Sequence, residues 1–403
     1  MLGSAAIVAV IGLAAVTAAR VQRRSVEGTA DLGEARLYAQ SAVDMGLYLI
    51  SSNANWRSAY PSGVWQQDVS LGAGKYTLEG VDPADGDLAD SPTDPLVLTA
   101  TGVKGAARHK TAVTLLADPQ GYTCLETALH AGLNLVFNGA TVTGNQTISS
   151  NALVTASLAT INANVEAVGT ITGGQYNGTN TPGVAPRTMP AADAFDYYLS
   201  NGTAISFAGI PKSQGTTTIE HVVFSPARNP YGGTTNAEGI YVINCASQTL
   251  RIREVRIVGT LVLLEPGGGS VIEQSVNWEA AVANYPALMV RGSVDIQITD
   301  NPLSESSGNV SYNPAGTPYQ GDEDDDFADT YPSLITGLVY LSGSCNTNNA
   351  VTVDGAMVVG GVLTATGTLN LTYRTTFLDD PPPGFLAAIA MRVSHGTWKQ
   401  VVN

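Results

Sequence analysis

Carboxylates are the side chains whose spacing in this sequence points to chemistry. Asp82, Asp85, Asp87 and Asp90 stand around Gly86 in the stretch DPADGDLAD. Hard oxygen donors at such short intervals about a turn-forming glycine suit calcium, although the full calcium-loop pattern that ends in glutamate is not completed. A solvated acidic turn has the same spacing, and the sequence leaves both readings open. The run Asp322-Glu-Asp-Asp-Asp326 is different. Successive carboxylates cannot all converge on one ion, so this run reads as a solvated loop that recruits ions weakly.

Nucleophiles and bases are sparse. Cys124, Cys245 and Cys345 form no CxxC or Cys/His pattern, which argues against structural zinc. In an oxidising compartment Cys245 and Cys345, each a few residues beyond an apolar run, are expected to pair, with Cys124 left buried and reduced. His109, His130, His221 and His395 have no paired spacing, and no Walker loop, GxSxG elbow, HExxH or strand-linked GxGxxG occurs. Arg251, Arg253 and Arg256 with Asp295 and Asp300 are the set that polysaccharide cleavage would use. Such cleavage needs its groups within about 5 to 10 Å of one bond. Arg251 and Arg253 on an alternating strand are instead expected to face solvent. The expectation is a protein that is not an enzyme and requires no cofactor, with calcium as the one ion it could take.

Chain length and composition bound the elements that carry these residues. At 403 residues the chain exceeds one ordinary core. Charged residues make up 13 %, apolar residues 44 %, and there are 43 glycines, which suits a folded, glycine-rich β protein rather than a disordered chain or coiled coil. The formal charge of −15 would repel phosphate backbones, so nucleic acid is excluded as a partner.

Met1 to Ala19 carry no charge, and Arg20, Arg23 and Arg24 follow. At 1.5 Å per residue this run nearly spans the roughly 30 Å of bilayer hydrocarbon, so a membrane helix is expected over 1–24. Gly3, Ala5, Ala6, Ala9 and Gly12 would let backbones of packed helices approach closely. A second helix is expected from about Asp31 to Ser52, where Ala35, Ala39, Ala42, Val43 and Gly46 recur on one face. Glu27-Gly-Thr-Ala30 between them reads as a break. The period then becomes alternating, with strands over 75–81, 96–103 and 109–116.

This order of elements resembles a type IV pilin or type II secretion pseudopilin. The segment Ala35-Arg-Leu-Tyr-Ala-Gln-Ser-Ala-Val-Asp-Met-Gly46, with Asn55-Trp56-Arg57 after it, is most similar to the minor pilins of the PilX and K-pseudopilin kind. The resemblance implies that a prepilin peptidase removes a basic leader and leaves Met1 as the N-terminus. It implies an inner-membrane anchor before assembly, the pilus assembly machinery and other copies of the chain as partners, and an extracellular filament as the destination. Arg20, Arg23, Arg24 and Glu27 would form ion pairs between subunits. Ala5 stands where most major pilins carry glutamate, which favours a minor subunit.

Beyond Pro119 the texture changes. Apolar runs begin at Ile240, Leu261, Leu288, Leu338 and Met357, at intervals suggesting an imperfect repeat near twenty residues. The fold expected is therefore α+β over 1–118, a long helix with a small antiparallel sheet over 25–118, followed by a parallel β-helix over 119–378. A jelly roll or sandwich is the competing reading. Polar insertions are expected near 175–239 and 300–329, and 379–403 is expected to cap the open end. The functions implied are a filament subunit displaying this solenoid, a tip adhesin that binds a surface polysaccharide, or a β-helix carbohydrate-active enzyme.

Overall fold

The computed structural model describes residues 2–53, 55–91 and 93–401, with side chains from Val10 onward except those of Pro119, Ala388 and Ile389. Two compact units result, one of residues 1–119 with 388–403 and one of residues 120–387.

One helix of 51 residues, α1 (Leu2–Ser52), begins the first unit. The break expected at 27–30 is absent. Gly28 weakens a helix by only about 1 kcal/mol. Against it, Arg23 pairs with Glu27 one turn on at 3.0 Å, and Thr29 Oγ1 donates to the Ser25 carbonyl at 2.9 Å. α1 therefore continues without interruption past residue 24.

Strands β1 (Gly63–Leu71), β2 (Gly74–Val81), β3 (Leu96–Lys104) and β4 (Ala107–Gly121) form an antiparallel sheet in sequence order. Alternation along β3 turns Leu96, Leu98 and Ala100 inward, where Ala35, Ala39, Ala42 and Val43 of α1 cover them completely. The fit depends on small residues. A Cβ on Gly102 would collide with the Ala35 carbonyl oxygen and stand 2.6 Å from the Ala39 nitrogen, and one on Gly46 would stand 2.9 Å from Leu98 Cδ1. Leu32, one turn before Ala35, is 48 % exposed.

The C-terminal segment does not cap the second unit as expected. Leu386–Val393 and Lys399–Gln400 both pair with β4, extending the first unit's sheet, and Trp398 is partly exposed. The free edge of β4 offers unpaired backbone groups that a returning strand satisfies. Phe377 and Phe385, just before this return, are buried in the second unit.

The second unit is mostly β, and its main sheet is almost wholly parallel. The apolar runs singled out in the sequence stand side by side: Ile240–Asn244, Thr260–Leu264, Pro286–Arg291, Leu334–Leu341 and Ala350–Val359. Thr203–Ile205 precedes them in this ladder. Past the other end the order is Leu129–Ala131, Ile148–Ser150, Val165–Ala167 and Asn180–Pro182. The chain thus enters mid-ladder at 129, runs outward to 182, re-enters at the far end and winds back until 357–359 pairs with 129–131. Inward Val, Ile and Leu from each row fill one continuous core that includes Phe137 and Trp278.

The two expected insertions differ in kind. Within 175–239, Asn180–Pro182, Thr203–Ile205 and Thr216–Phe224 are ladder strands, so only the intervening loops and the helix Asp196–Asn201 project from it. Within 300–329 the chain leaves the ladder, and Leu303–Ser304 pairs antiparallel with Thr330–Tyr331 at its two ends.

Candidate functional site

Two features of the first unit are unsatisfied within the chain. The first is the N-terminal half of α1. Val10, Ile11, Leu13, Val21 and Val26 are each more than 60 % exposed, while Ala35, Ala39, Ala42 and Val43 on the same helix are fully buried. Gly12 and Gly28 have nothing within 4 Å of where a Cβ would stand. Arg20, Arg23, Arg24 and Glu27 are exposed, and Arg23 and Glu27 pair with each other along the helix. The side chains of Gly3, Ala5, Ala6 and Ala9 lie outside the described residues. Among the described residues no helix is long and apolar enough to cross a membrane. Of the run expected to do so, residues 1–19, the side chains of the first nine lie outside those described.

The second feature is the loop between β2 and β3. Asp82, Asp85, Asp90 and Asp94 each bring a carboxylate oxygen within 4.8 Å of the others. Short local bonds shape the loop: Asp82 Oδ1 accepts from the Ala84 amide at 2.7 Å and Asp85 Oδ1 from the Asp87 amide at 2.9 Å. Asp87, expected among the ligands, instead accepts from the Ala89 amide at 2.9 Å and stays outside the cluster. Asp94 takes its place; it lies just beyond the DPADGDLAD stretch and was not legible as a member.

Asp82 is 2 % exposed, and its Oδ2 is buried without a hydrogen-bond partner. That oxygen has no hydrogen bond in place of lost solvent, and the charge of Arg57 is its nearest compensation. Burial, then hydrogen bonding and charge from Asp85, hold the Asp90 carboxyl above its ordinary value. Arg57 crosses the loop, donating to the Leu88 carbonyl at 3.4 Å and to the Asp94 carbonyl. The arrangement is a carboxylate cluster able to take a hard divalent cation.

Cys245 and Cys345 do not pair; both are free and buried, as is Cys124. Asn244 stands beside Leu264, Leu264 beside Arg291, and Val290 beside Leu341, so three row spacings separate the neighbourhoods of the two thiols. At about 4.8 Å per row that is roughly 14 Å, twice the reach of a disulfide. Burial pushes the Cys124 and Cys245 thiols up to about 12, and raises Cys345 as well.

The arginines weighed for polysaccharide cleavage are each engaged by glutamate. Arg253 meets Glu220 at 2.6 Å, Arg251 meets Glu273 at 3.1 Å, and Arg256 meets Glu279 at 3.3 Å. Glu220, Arg253 and Glu273 occupy successive rows in register, so opposite charges alternate up the sheet. Arg251 and Arg253 take the outward positions of their alternating strand, half-buried in these ion pairs, whereas Arg256 is fully buried. Asp295 accepts from the backbone and side-chain amides of Asn346 at 3.2 and 2.9 Å. Among the described residues no ion pair joins Asp295 or Asp300 to these arginines.

No protein-family model matches this chain, and no curated protein matches it in sequence. Among solved structures the chain is similar to the competence-associated pilin ComZ of Thermus thermophilus, at 12 % identity over 93 % of this chain and 98 % of that one, with a TM-score of 0.35. It is also similar to an ice binding protein from an Antarctic biological consortium, at 11 % identity over 63 % of this chain and 91 % of that one, with a TM-score of 0.26. Neither overlay is close enough to define a family.

Proposed function

We propose that this chain is a subunit of a type IV pilus-like extracellular filament, anchored in the inner membrane before assembly. The observation that supports it is the division of α1. One half is covered by its own sheet, while the other presents Val10, Ile11, Leu13, Val16 and Val21 to solvent. Apolar surface of that extent on a soluble domain marks a contact with lipid or protein. In lipid before assembly, and against identical helices afterward, the same side chains stay out of water. We read the second unit as a parallel β-helix displayed on the filament surface, without hydrolytic activity; its rows pair in parallel, and Arg251, Arg253 and Arg256 are held in ion pairs. Display of such a unit also suits a minor or tip subunit that recognises a surface polysaccharide, the reading Ala5 favours.

The test uses the sheared surface fibres of the producing cell. Leu13→Lys with Val16→Lys alters only exposed positions and leaves the fold intact. The unaltered chain should be present in the fibres and the variant absent. Equal incorporation of both, or absence of both, would sink the filament reading.

The acidic loop of the first unit is read as a calcium site, supported by the unpartnered Asp82 oxygen inside the cluster. Calcium should raise the melting temperature of the first unit, and Asp82→Asn with Asp85→Asn should remove the rise. A calcium response that survives both substitutions would reject it.

A further inference from the structure

The excursion between Asp300 and Pro332 is firmly tied to the parallel unit. The Arg256 guanidinium donates to the carbonyl oxygens of Tyr312 at 2.8 Å, Thr317 at 2.9 Å and Pro318 at 2.7 Å. The Tyr312 hydroxyl donates to the Glu254 carbonyl at 2.8 Å. Leu303, Tyr312 and Tyr331 bury themselves against Val223. The acidic run 322–326 is solvated as expected, exposed except for the half-buried Asp324, and the segment that carries it is tethered on both sides of the run.

Inside that frame Glu305 is fully buried. Its carboxylate accepts from the amides of Tyr312 and Asp329, the latter at 3.1 Å, and from the Tyr331 hydroxyl at 2.8 Å. Asp324 and Asp329 each place a carboxylate oxygen within 4.8 Å of one on Glu305 and of each other. Among the described residues no ion pair reaches any of the three. Burial, followed by the charges of Asp324 and Glu305, holds the Asp329 carboxyl above its ordinary value.

A second observation points to a ligand. Asn313 is 1 % exposed and donates its amide nitrogen to Asp329 Oδ2 at 3.1 Å. The oxygen of that same amide is buried with no hydrogen-bond partner. A buried acceptor without a donor, on an amide group already touching a cluster of negative charge, is an oxygen that a bound cation would satisfy.

We propose that Glu305, Asn313, Asp324 and Asp329 form a second site for a divalent cation of calcium's kind, which locks the excursion onto the parallel unit. The donors are oxygens alone, the set that hard cations take and soft ones do not. Calcium holds oxygens at about 2.3 to 2.6 Å, so oxygens around one ion stand no more than roughly 5.2 Å apart; these carboxylate oxygens lie within 4.8 Å of one another. Ligands drawn from separate turns of one irregular segment suit calcium's flexible shell better than the rigid octahedron of magnesium. This site is separate from the loop between β2 and β3, and it does not depend on the filament reading.

The experiment uses the full chain in detergent, stripped with chelator and titrated with terbium while tyrosine is excited. The Asp82→Asn, Asp85→Asn background silences the other cluster. Tyr331 bonds to Glu305 directly, so an ion held there should emit strongly and be displaced by calcium. Adding Asp324→Asn and Asp329→Asn should weaken terbium binding at least tenfold, with the circular dichroism unchanged. Equal affinity in both chains would overturn the proposal. The unaltered chain gives an independent check: calcium should protect residues 320–329 from limited proteolysis, and equal cleavage with calcium and with chelator would likewise overturn it.

Discussion

In the first unit one helix forms an entire wall of the core, and the other wall is a short antiparallel sheet. In the second unit each strand is covered by the rows on either side, and no single element is a wall. The first unit therefore concentrates its stability in one close contact, where Ala35, Ala39 and Gly46 of α1 meet Gly102, Leu78 and Leu98. The second spreads it over many rows, so a fault in one is shared by its neighbours. A helix made of small residues on that face has a further consequence. The same rod can carry on beyond its own domain and leave its other half bare for a different partner.

The sharpest way to break this comparison is Gly102→Leu. Its side chain would run into backbone atoms of Ala35 and Ala39, which cannot swing aside as a flexible side chain can. Overpacking against backbone costs about 3 kcal/mol or more, a large share of a small unit's stability. Calorimetry should show the first unit melting early and the second melting where it did before. A single transition that shifts as a whole would mean that the two units do not bury their cores independently.

A more local effect is expected from Arg256→Met, which acts on one attachment of the second unit. The substitution removes the donors to Tyr312, Thr317 and Pro318 and leaves those carbonyl oxygens without them. Breaking a buried charged network by removing one partner costs about 3 to 5 kcal/mol. Because the rows below are paired through their backbones, the loss should stay within 303–331. Hydrogen exchange should rise there and remain unchanged in Ile240–Asn244 and Thr260–Leu264. Exchange that rises along the whole ladder would show the unit to be cooperative from end to end.

What could be read from the sequence follows the same division. The buried face of α1 was legible because Ala35, Ala39, Ala42, Val43 and Gly46 repeat at helical spacing. Its continuity through Gly28 was not, since one weak residue says nothing of the ion pair and hydroxyl bond that bridge it. Apolar runs at 240, 261, 288, 338 and 357 were legible as strands because both of their faces are covered. The row order was not: 129–131 pairs with 357–359, a partner set by how the chain returns in space. Arg256 was read only as a member of the set that polysaccharide cleavage would use, since the carbonyls that bury it arrive about sixty residues later in the chain. At the acidic loop the residue types gave the chemistry, but spacing alone did not show that Asp94 joins the cluster and Asp87 does not.

The smallest of these effects concerns a buried base in the row that joins the two ends of the ladder. His130 lies in Leu129–Ala131, between 148–150 and 357–359, and is fully buried. Its Nδ1 is 2.6 Å from Ser149 Oγ, and Nε2 has no partner. Burial, and then the positive charge of Arg187, lower its pKa from 6.5 to about 4. The folded chain therefore keeps this imidazole neutral at pH values where the unfolded chain has already taken up a proton. Folding binds fewer protons in that interval, so stability is full above about 6.5 and declines as the pH falls toward 4. At 1.36 kcal/mol per pKa unit the loss is at most about 3 kcal/mol. His130→Gln removes the titration, whereas Glu126 and Glu166, which hold Arg187, remain in both chains. Denaturant unfolding of the second unit should lose stability between pH 6.5 and 4 more steeply in the unaltered chain than in the variant. Parallel pH profiles would mean that His130 opens to water without disturbing the seam, and that the row closing the ladder is looser than the rows on either side.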